Sequence, residues 1–430
     1  MVELSIIIPI YNSEKYIKSC LNSICKQIKN QVELVLVNDS STDSSLKICR
    51  VFSKKYKNIK IINNKKNLGV SISRNIGIKN STGKYIFFCD SDDLLIRNSI
   101  NLILNNIKKF SINEIFILRS KATSLNVIDK NQIMNTSLNK KGILNRIKNF
   151  EKFRTLCWNY IIQKKFLLAN NLQFKNIRVF EDQVFVSNLL CKVESFKIIS
   201  KPVYLNRAFE PITLSKKTGY IIVNSCVKIL YEIANIFINQ KNFFNRKKTI
   251  FLKSRLRYAS DQLFIHLLTC NSLEIKRISK YLLKNFKIFS KVLKFNTKYF
   301  IRIIKERKNI EKNLLKHKEK KIFFIKNIIL KTEKNKLIIF CAGSFSHVIL
   351  KTLRNLGVKI HHVIDNNPHY LNKQIDNIKI KNSLYLKKNL TKFMNYSFLV
   401  CNQNSLVFSK IKIQLIKLGF SKNKIIQLRI

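Results

Sequence analysis

Short, almost unbroken apolar runs alternate with longer segments through the first hundred residues of the chain. SIIIPI (5–10), VELVLVN (32–38), NIKIINN (58–64) and KYIFFC (84–89) have the length and content of strands buried on both faces. Between them, EKYIKSCLNSICKQ, DSSLKICRVFSKKY and VSISRNIGIKN carry apolar residues at helical spacing. The order predicts an α/β fold, a mostly parallel sheet with helices on both faces. In such sheets ligands bind beyond the carboxyl ends of the strands.

Two further regions follow. Segments such as CVKILYEIANIFINQ and EIKRISKYLLKNFKIFSKVLKF predict helices with basic outer faces, ending in the run KERKNIEKNLLKHKEKK. From about residue 335 strand and helix alternate again in KLIIFCAGSFSHVILKTLRNLGVKIHHVIDNNP, a pattern with the shape of half a Rossmann unit whose helix ends at Gly357. Asp365 follows Gly343 at the distance of a ribose-binding acid, making both nucleotide candidates, although Cys341 and Ser346 stand where a dinucleotide motif has glycines. The expected organisation is therefore 1–218 for the first α/β domain, 219–330 for a helical extension and 331–430 for a Rossmann-like α/β domain.

Composition narrows the partners. The 430-residue chain has 81 Lys+Arg against 24 Asp+Glu, a formal net charge of +57. That charge invites an anionic partner. Lys, Asn and Ile are abundant throughout, however, while Gly (8), Pro (4) and Trp (1) are scarce, so a genome-wide bias accounts for much of it. No aromatic stacking platform or nucleic-acid motif accompanies the lysines, and nucleic acid is not expected. The ten cysteines form no CxxC pair, which argues for neither zinc nor disulfides and fits a reducing cytoplasm. MVELSIIIPIYNSE lacks the features of a signal peptide, and no apolar run is expected to reach the length of about 18 residues that spans a membrane. Peripheral contact with the inner face of the membrane is the remaining membrane option.

Acid is scarce in this chain, yet it gathers where the strands end. Asn38-Asp39 follows the second strand and Asp90-Ser91-Asp92-Asp93 the fourth. One carboxylate in each cluster can cap the next helix, and Asp93 is the expected cap of LLIRNSINLILNNI. Three close carboxylates repel one another unless a cation is present. Asp90 and Asp92 suit a hard divalent ion, Mg²⁺ or Mn²⁺. A second acidic pair, Glu181-Asp182, lies among Val179, Phe180, Val184 and Phe185, where burial without a partner or purpose is costly.

Together, SIIIPIYNSEKYIKSCLNSI, VELVLVNDSSTDSS, NLGVSISRNIGIKNSTGKYIFFCDSDD and VFEDQVF resemble bacterial family 2 glycosyltransferases of the GT-A fold. The resemblance covers roughly residues 3–215. It implies sugar transfer, with inversion, from a nucleotide diphosphate sugar (a UDP-sugar first among donors) to a hydroxyl of a glycan or lipid-linked acceptor in surface polysaccharide synthesis. It places Pro9, Tyr11 and Asp39 around the base, Arg74 near base and phosphates, Asp90 and Ser91 on the nucleotide, Asp92 on the metal and Asp182 as general base. Glu181 is its neighbour in the ED pair. Asn67 and Ser71 are either donor contacts or turn and cap residues. Trp158 is either an acceptor contact or core, and Arg207 and Ser215 are candidates for the diphosphate. The C-terminal module resembles Rossmann-like domains appended to bacterial sugar-processing enzymes. A reading from another class makes the chain a catalytically inactive basic module for nucleic acid or a membrane surface.

Overall fold

The run LSIIIPI is buried at all seven positions, and in the computed structural model it forms the middle of an eight-stranded sheet. The structure describes residues 1–122, 144, 155–207, 219–239, 246–292, 300–301, 309–330, 337–340, 344–366, 374–375, 377–401 and 405–428. They fall into two compact units, Met1–Ala208 with Lys228–Tyr258, and Phe209–Val227 with Ala259–Ile430.

In the first unit β1 (Leu4–Ile10), β2 (Val32–Asn38), β3 (Ile59–Asn63) and β4 (Tyr85–Phe88) pair in parallel, linked by α1 (Glu14–Cys25), α2 (Ser45–Lys55) and α3 (Val70–Asn80). These match the expected strands and helices. Register puts Ile7 beside both Val35 and Phe88, so the strand ends that follow Ile10, Asn38 and Phe88 open on one edge. After β4 the chain departs from the sequence reading: Leu94–Leu95 is a strand, β5, and α4 (Ser99–Lys109) starts only after Asn98, whose φ of 67° breaks the chain direction. The helix expected straight after Asp93 is shorter because β5 pairs with β8 (Phe196–Asn206).

The rest of this sheet mixes directions. β7 (Tyr160–Gln163) runs antiparallel to β4 and to β6 (Ile115–Ala122), while β6 and β8 pair in parallel with register shifts near Arg119. The order is β3-β2-β1-β4-β7-β6-β8-β5. Two short helices, α5 (Lys164–Ala169) and α6 (Asp182–Lys192), complete the described part of this region. α3 can lie close on β1 because Gly77 has no side chain: a Cβ there would meet Ile7 Cγ2 at 2.3 Å.

The middle of the chain is helical, as expected. α7 (Tyr220–Asn239) and α8 (Arg246–Leu267) are followed by helices Ser272–Lys284, Phe286–Val292 and Ile310–Leu330. Asn271 and Glu274 close a capping box on the first of these. α7 corrects the expectation on apolar length: it has 20 residues at mean hydropathy 1.7, long and apolar enough to cross a membrane, with 61% of that window buried within the protein. Asn224, Lys228 and Glu232 interrupt its run in the sequence and hid it.

The second unit holds a six-stranded sheet of order β11-β12-β10-β9-β13-β14. Here β9 (Leu337–Phe340), β10 (Ile360–Ile364), β12 (Ile378–Lys381), β13 (Ser397–Val400) and β14 (Ile425–Gln427) pair in parallel, and β11 (Gln374–Ile375) is antiparallel to β12. Gly357, at φ 73°, ends the helix Ser344–Asn355 as expected. Asp365 follows β10 and donates its N–H to the Lys381 carbonyl at 2.9 Å. Gly343 lies outside the described residues.

Gly77→Ala should destabilise the fold by about 1–3 kcal/mol, because Ile7 sits in a fully packed strand and cannot give way. Urea denaturation measures it.

Candidate active site

Asp39, at the end of β2, is 3% exposed, and its carboxylate faces the start of α3. Its oxygens accept N–H groups from Leu68 and Gly69, both at 2.8 Å, and the Asn64 amide at 2.9 Å. It thus fixes the turn ahead of α3. The Asn67 side chain donates to the Asp39 carbonyl at 3.4 Å and accepts from Arg178 Nη1 at 2.9 Å. Pro9 is buried in β1, while Tyr11 just beyond it is 46% exposed.

At the end of β4, oxygens of Asp90, Asp92 and Asp93 lie within 4.8 Å of one another. The Asp90 N–H donates to the Tyr204 hydroxyl at 3.0 Å, and the Ser91 and Ser13 hydroxyls are 2.7 Å apart. Asp93 is not a helix cap. Its carboxylate accepts the Tyr204 hydroxyl (2.7 Å), the Asn206 amide (2.9 Å) and the Arg207 N–H (2.7 Å), and so ties β4 to the end of β8. Burial, then Asp90 and Asp92, push the Asp93 carboxyl up to about 7 despite these donors. A hard oxygen set carrying excess negative charge fits a divalent cation, with Asp92 and Asp90 as its holders, since Asp93 is engaged on β8.

Tyr204 lies in SKPVYLNRAFEPITLSKK, the stretch where the family resemblance implies a Tyr and an Arg, but its hold on Asp90 and Asp93 comes from tertiary contacts. Trp158 stacks on it with ring centroids 4.6 Å apart and planes within 8°. At 5% exposure Trp158 buttresses the tyrosine from the core. Arg207 reaches the Ser19 hydroxyl at 2.7 Å and lies over the Tyr16 ring. Ser215 lies outside the described residues.

Arg74 brings the two acidic motifs together. It projects from α3 at 3% exposure; Nη2 meets Asp90 Oδ1 at 2.8 Å, and Nη1 meets Glu181 Oε1 at 2.5 Å and Asp182 Oδ1 at 3.2 Å. Its plane lies over Phe174, which stacks on Phe185. The Cys157 N–H donates to Asp182 Oδ2 at 3.1 Å, and the Ser71 hydroxyl donates to the Ile177 carbonyl at 2.9 Å, fastening α3 to the approach to the ED pair. Phe180, immediately before the pair, has φ 63°, a strained geometry for a bulky residue.

One guanidinium among three carboxylates leaves excess negative charge. Burial and Asp182 raise the Glu181 carboxyl to about 7, with Arg74 opposing. Burial also raises Asp182, again against Arg74 and with Asp90 adding to the rise. Burial alone would lower Arg74, but Cys157, Asp182, Asp90 and Glu181 hold it well above its ordinary value. A 1140 Å³ cavity elsewhere in this unit, beside Glu3, Lys84 and Gln163, lies at the opposite, amino-terminal ends of β1 and β4 and takes no part in this cluster.

Residues 5–168, which carry Asp39, Arg74 and the strand-end acids, match the model described as glycosyl transferase family 2. This stretch is a family 2 glycosyltransferase domain. Its fold is of the GT-A type. The S. aureus TarS 1–349 crystal structure superposes with a TM-score of 0.56 at 21% identity, covering 74% of this chain and 90% of that one. The chain is also 30% identical over 220 residues to the minor teichoic acid biosynthesis protein GgaB of Bacillus subtilis, covering 50% of this chain and 24% of that protein. With the poly(ribitol-phosphate) beta-glucosyltransferase of Bacillus spizizenii it is 32% identical over 201 residues, 46% of this chain and 31% of that one. The chain thus spans a third or less of the length of these two relatives.

Within the glycosyltransferase domain, Arg74→Met should cost about 3–5 kcal/mol at neutral pH, because it strands buried carboxylates without their cation. Denaturant melts against the parent chain check it. A carboxyl raised on folding adds stability at low pH that is lost as pH rises through its folded value. For Glu181 that loss runs between the ordinary value of 4.5 and about 7. Glu181→Gln should therefore show a smaller fall in Tm between these pH values than the parent.

Proposed function

We propose that the chain is an inverting, metal-dependent glycosyltransferase. It moves a sugar from a nucleotide diphosphate sugar to a hydroxyl of a glycan or lipid-linked acceptor, in the synthesis of a bacterial surface polysaccharide. The observation that carries this reading is the meeting of Asp90 and Asp182 on the single guanidinium of Arg74. Donor-side and acceptor-side acids have to stand this close for one sugar carbon to lie between them. The teichoic acid relatives support the polymer class. TarS of the same fold was crystallised with UDP and with UDP-GlcNAc, which supports a uridine nucleotide sugar as donor in this reading.

In this reading Asp39 and Tyr11, beside Pro9, receive the base, and Asp90 with Ser91 receives the ribose. Asp182 takes the proton of the acceptor hydroxyl as its oxygen attacks the anomeric carbon from the face opposite the diphosphate. Burial raises the Asp182 carboxyl above the usual aspartate range, which makes its carboxylate a stronger base for that proton. A divalent ion at Asp92 and Asp90, when bound, supplies the positive charge that a departing diphosphate needs. The enzyme works on the cytoplasmic side, where nucleotide sugars are available.

Asp182→Asn should lower sugar transfer by about 10²–10⁴-fold while leaving the thermal shift on donor binding in place. Asp92→Asn should abolish the Mn²⁺-dependent part of that shift. Full transfer by the first variant would refute the assignment of the base; unchanged metal dependence in the second would refute that of the metal ligand.

A further inference from the structure

The helix Ile310–Leu330 in the second unit has two unlike faces. Ile310, Leu314, Ile325 and Ile329 are buried, the last two in a core with β9 and β10, and Lys318 Nζ donates to the Cys270 carbonyl. The opposite face carries Lys312, Lys316, Lys320 and Phe323 at three- and four-residue spacing, with Leu330 two turns beyond Phe323 on the same stripe. Phe323 is 65% exposed, Leu330 66% and the flanking Phe324 43%. Among the described residues no other phenylalanine is exposed. Lys326 adds a further exposed charge, and Glu319 is the one exposed acid on this helix.

Lysine alone would mean little in this chain, because it is enriched everywhere. The bulky apolar groups set among the lysines are the informative feature. Exposed phenylalanine is costly in water, and basic residues around it match a surface that is apolar beneath and anionic above. A second copy of the chain would bring the same net charge of +57 to the contact, so charge opposes self-association and favours an anionic occupant.

We propose that this outward face of the helix Ile310–Leu330 docks on anionic lipid bilayers, with Phe323, Phe324 and Leu330 entering the interface and the lysines meeting the headgroups. The attachment does not depend on the sugar-transfer reading, since it is measured by partitioning alone.

The test is flotation of the full chain with vesicles of phosphatidylcholine alone and of phosphatidylcholine mixed with phosphatidylglycerol. The chain should bind the mixed vesicles and not the neutral ones, and added salt should weaken binding. Phe323→Ser should weaken partitioning by about tenfold or more with little change in the melt, because that side chain is mostly in solvent, and adding Phe324→Ser should weaken it further. Lys316→Glu with Lys320→Glu should weaken it and flatten the salt dependence. Lys54→Glu with Lys57→Glu makes the same charge change at exposed positions of the first unit, and should leave partitioning within about twofold of the parent. Three outcomes would overturn the proposal: equal binding to both vesicle types, an equal loss in the Lys54/Lys57 control, or a lipid-free dimer that the phenylalanine substitutions disperse.

Discussion

Arg74 is the constraint on which the arrangement around it depends. A guanidinium at 3% exposure persists only where carboxylates replace the water it has lost, and two segments of chain supply three of them: the end of β4 with Asp90, and the start of α6 with Glu181 and Asp182. The same cation that holds these acids together cannot neutralise all of them. Burial first, and then their surplus charge, make Glu181 and Asp182 hold protons more tightly than exposed acids do. Structure and proton affinity thus have one origin here.

A second tie keeps the other side of the strand end in place. Asp93 accepts donors from Tyr204, Asn206 and Arg207, and Trp158 stacks beneath the tyrosine. These contacts leave Asp92, with Asp90, as the part of the acidic group suited to a cation. One acid of the cluster is spent on the scaffold so that its neighbours are aimed. The arrangement also joins chain inside and outside the stretch that matches the family model: that stretch ends at residue 168, before the ED pair, yet Arg74 from inside it reaches both members.

The surface of the helix Ile310–Leu330 obeys a different logic. Its buried isoleucines are explained by the core under them, while its exposed phenylalanines have no such explanation among the described residues. Catalytic chemistry and attachment would then reside in different units of one chain, each with its own physical basis.

Much of the fold was legible because it is local. Strand length, helical periodicity, the helix stop at Gly357 and the gathering of scarce acid at strand ends all depend on neighbours in sequence, and the first four strands and three helices stand where periodicity put them. What the sequence by itself determined was the parallel half of the first sheet, β1 to β4, and the edge on which its polar residues open. It could not assign Asp93, since a carboxylate before an apolar run caps a helix unless a strand arrives more than a hundred residues later to claim it. Nor could it show that Arg74 is buried, or that Asn224, Lys228 and Glu232 interrupt a helix whose other residues are mostly core. Those outcomes depend on which distant groups meet, and only tertiary packing, by removing water from Arg74 and its acids, decided them.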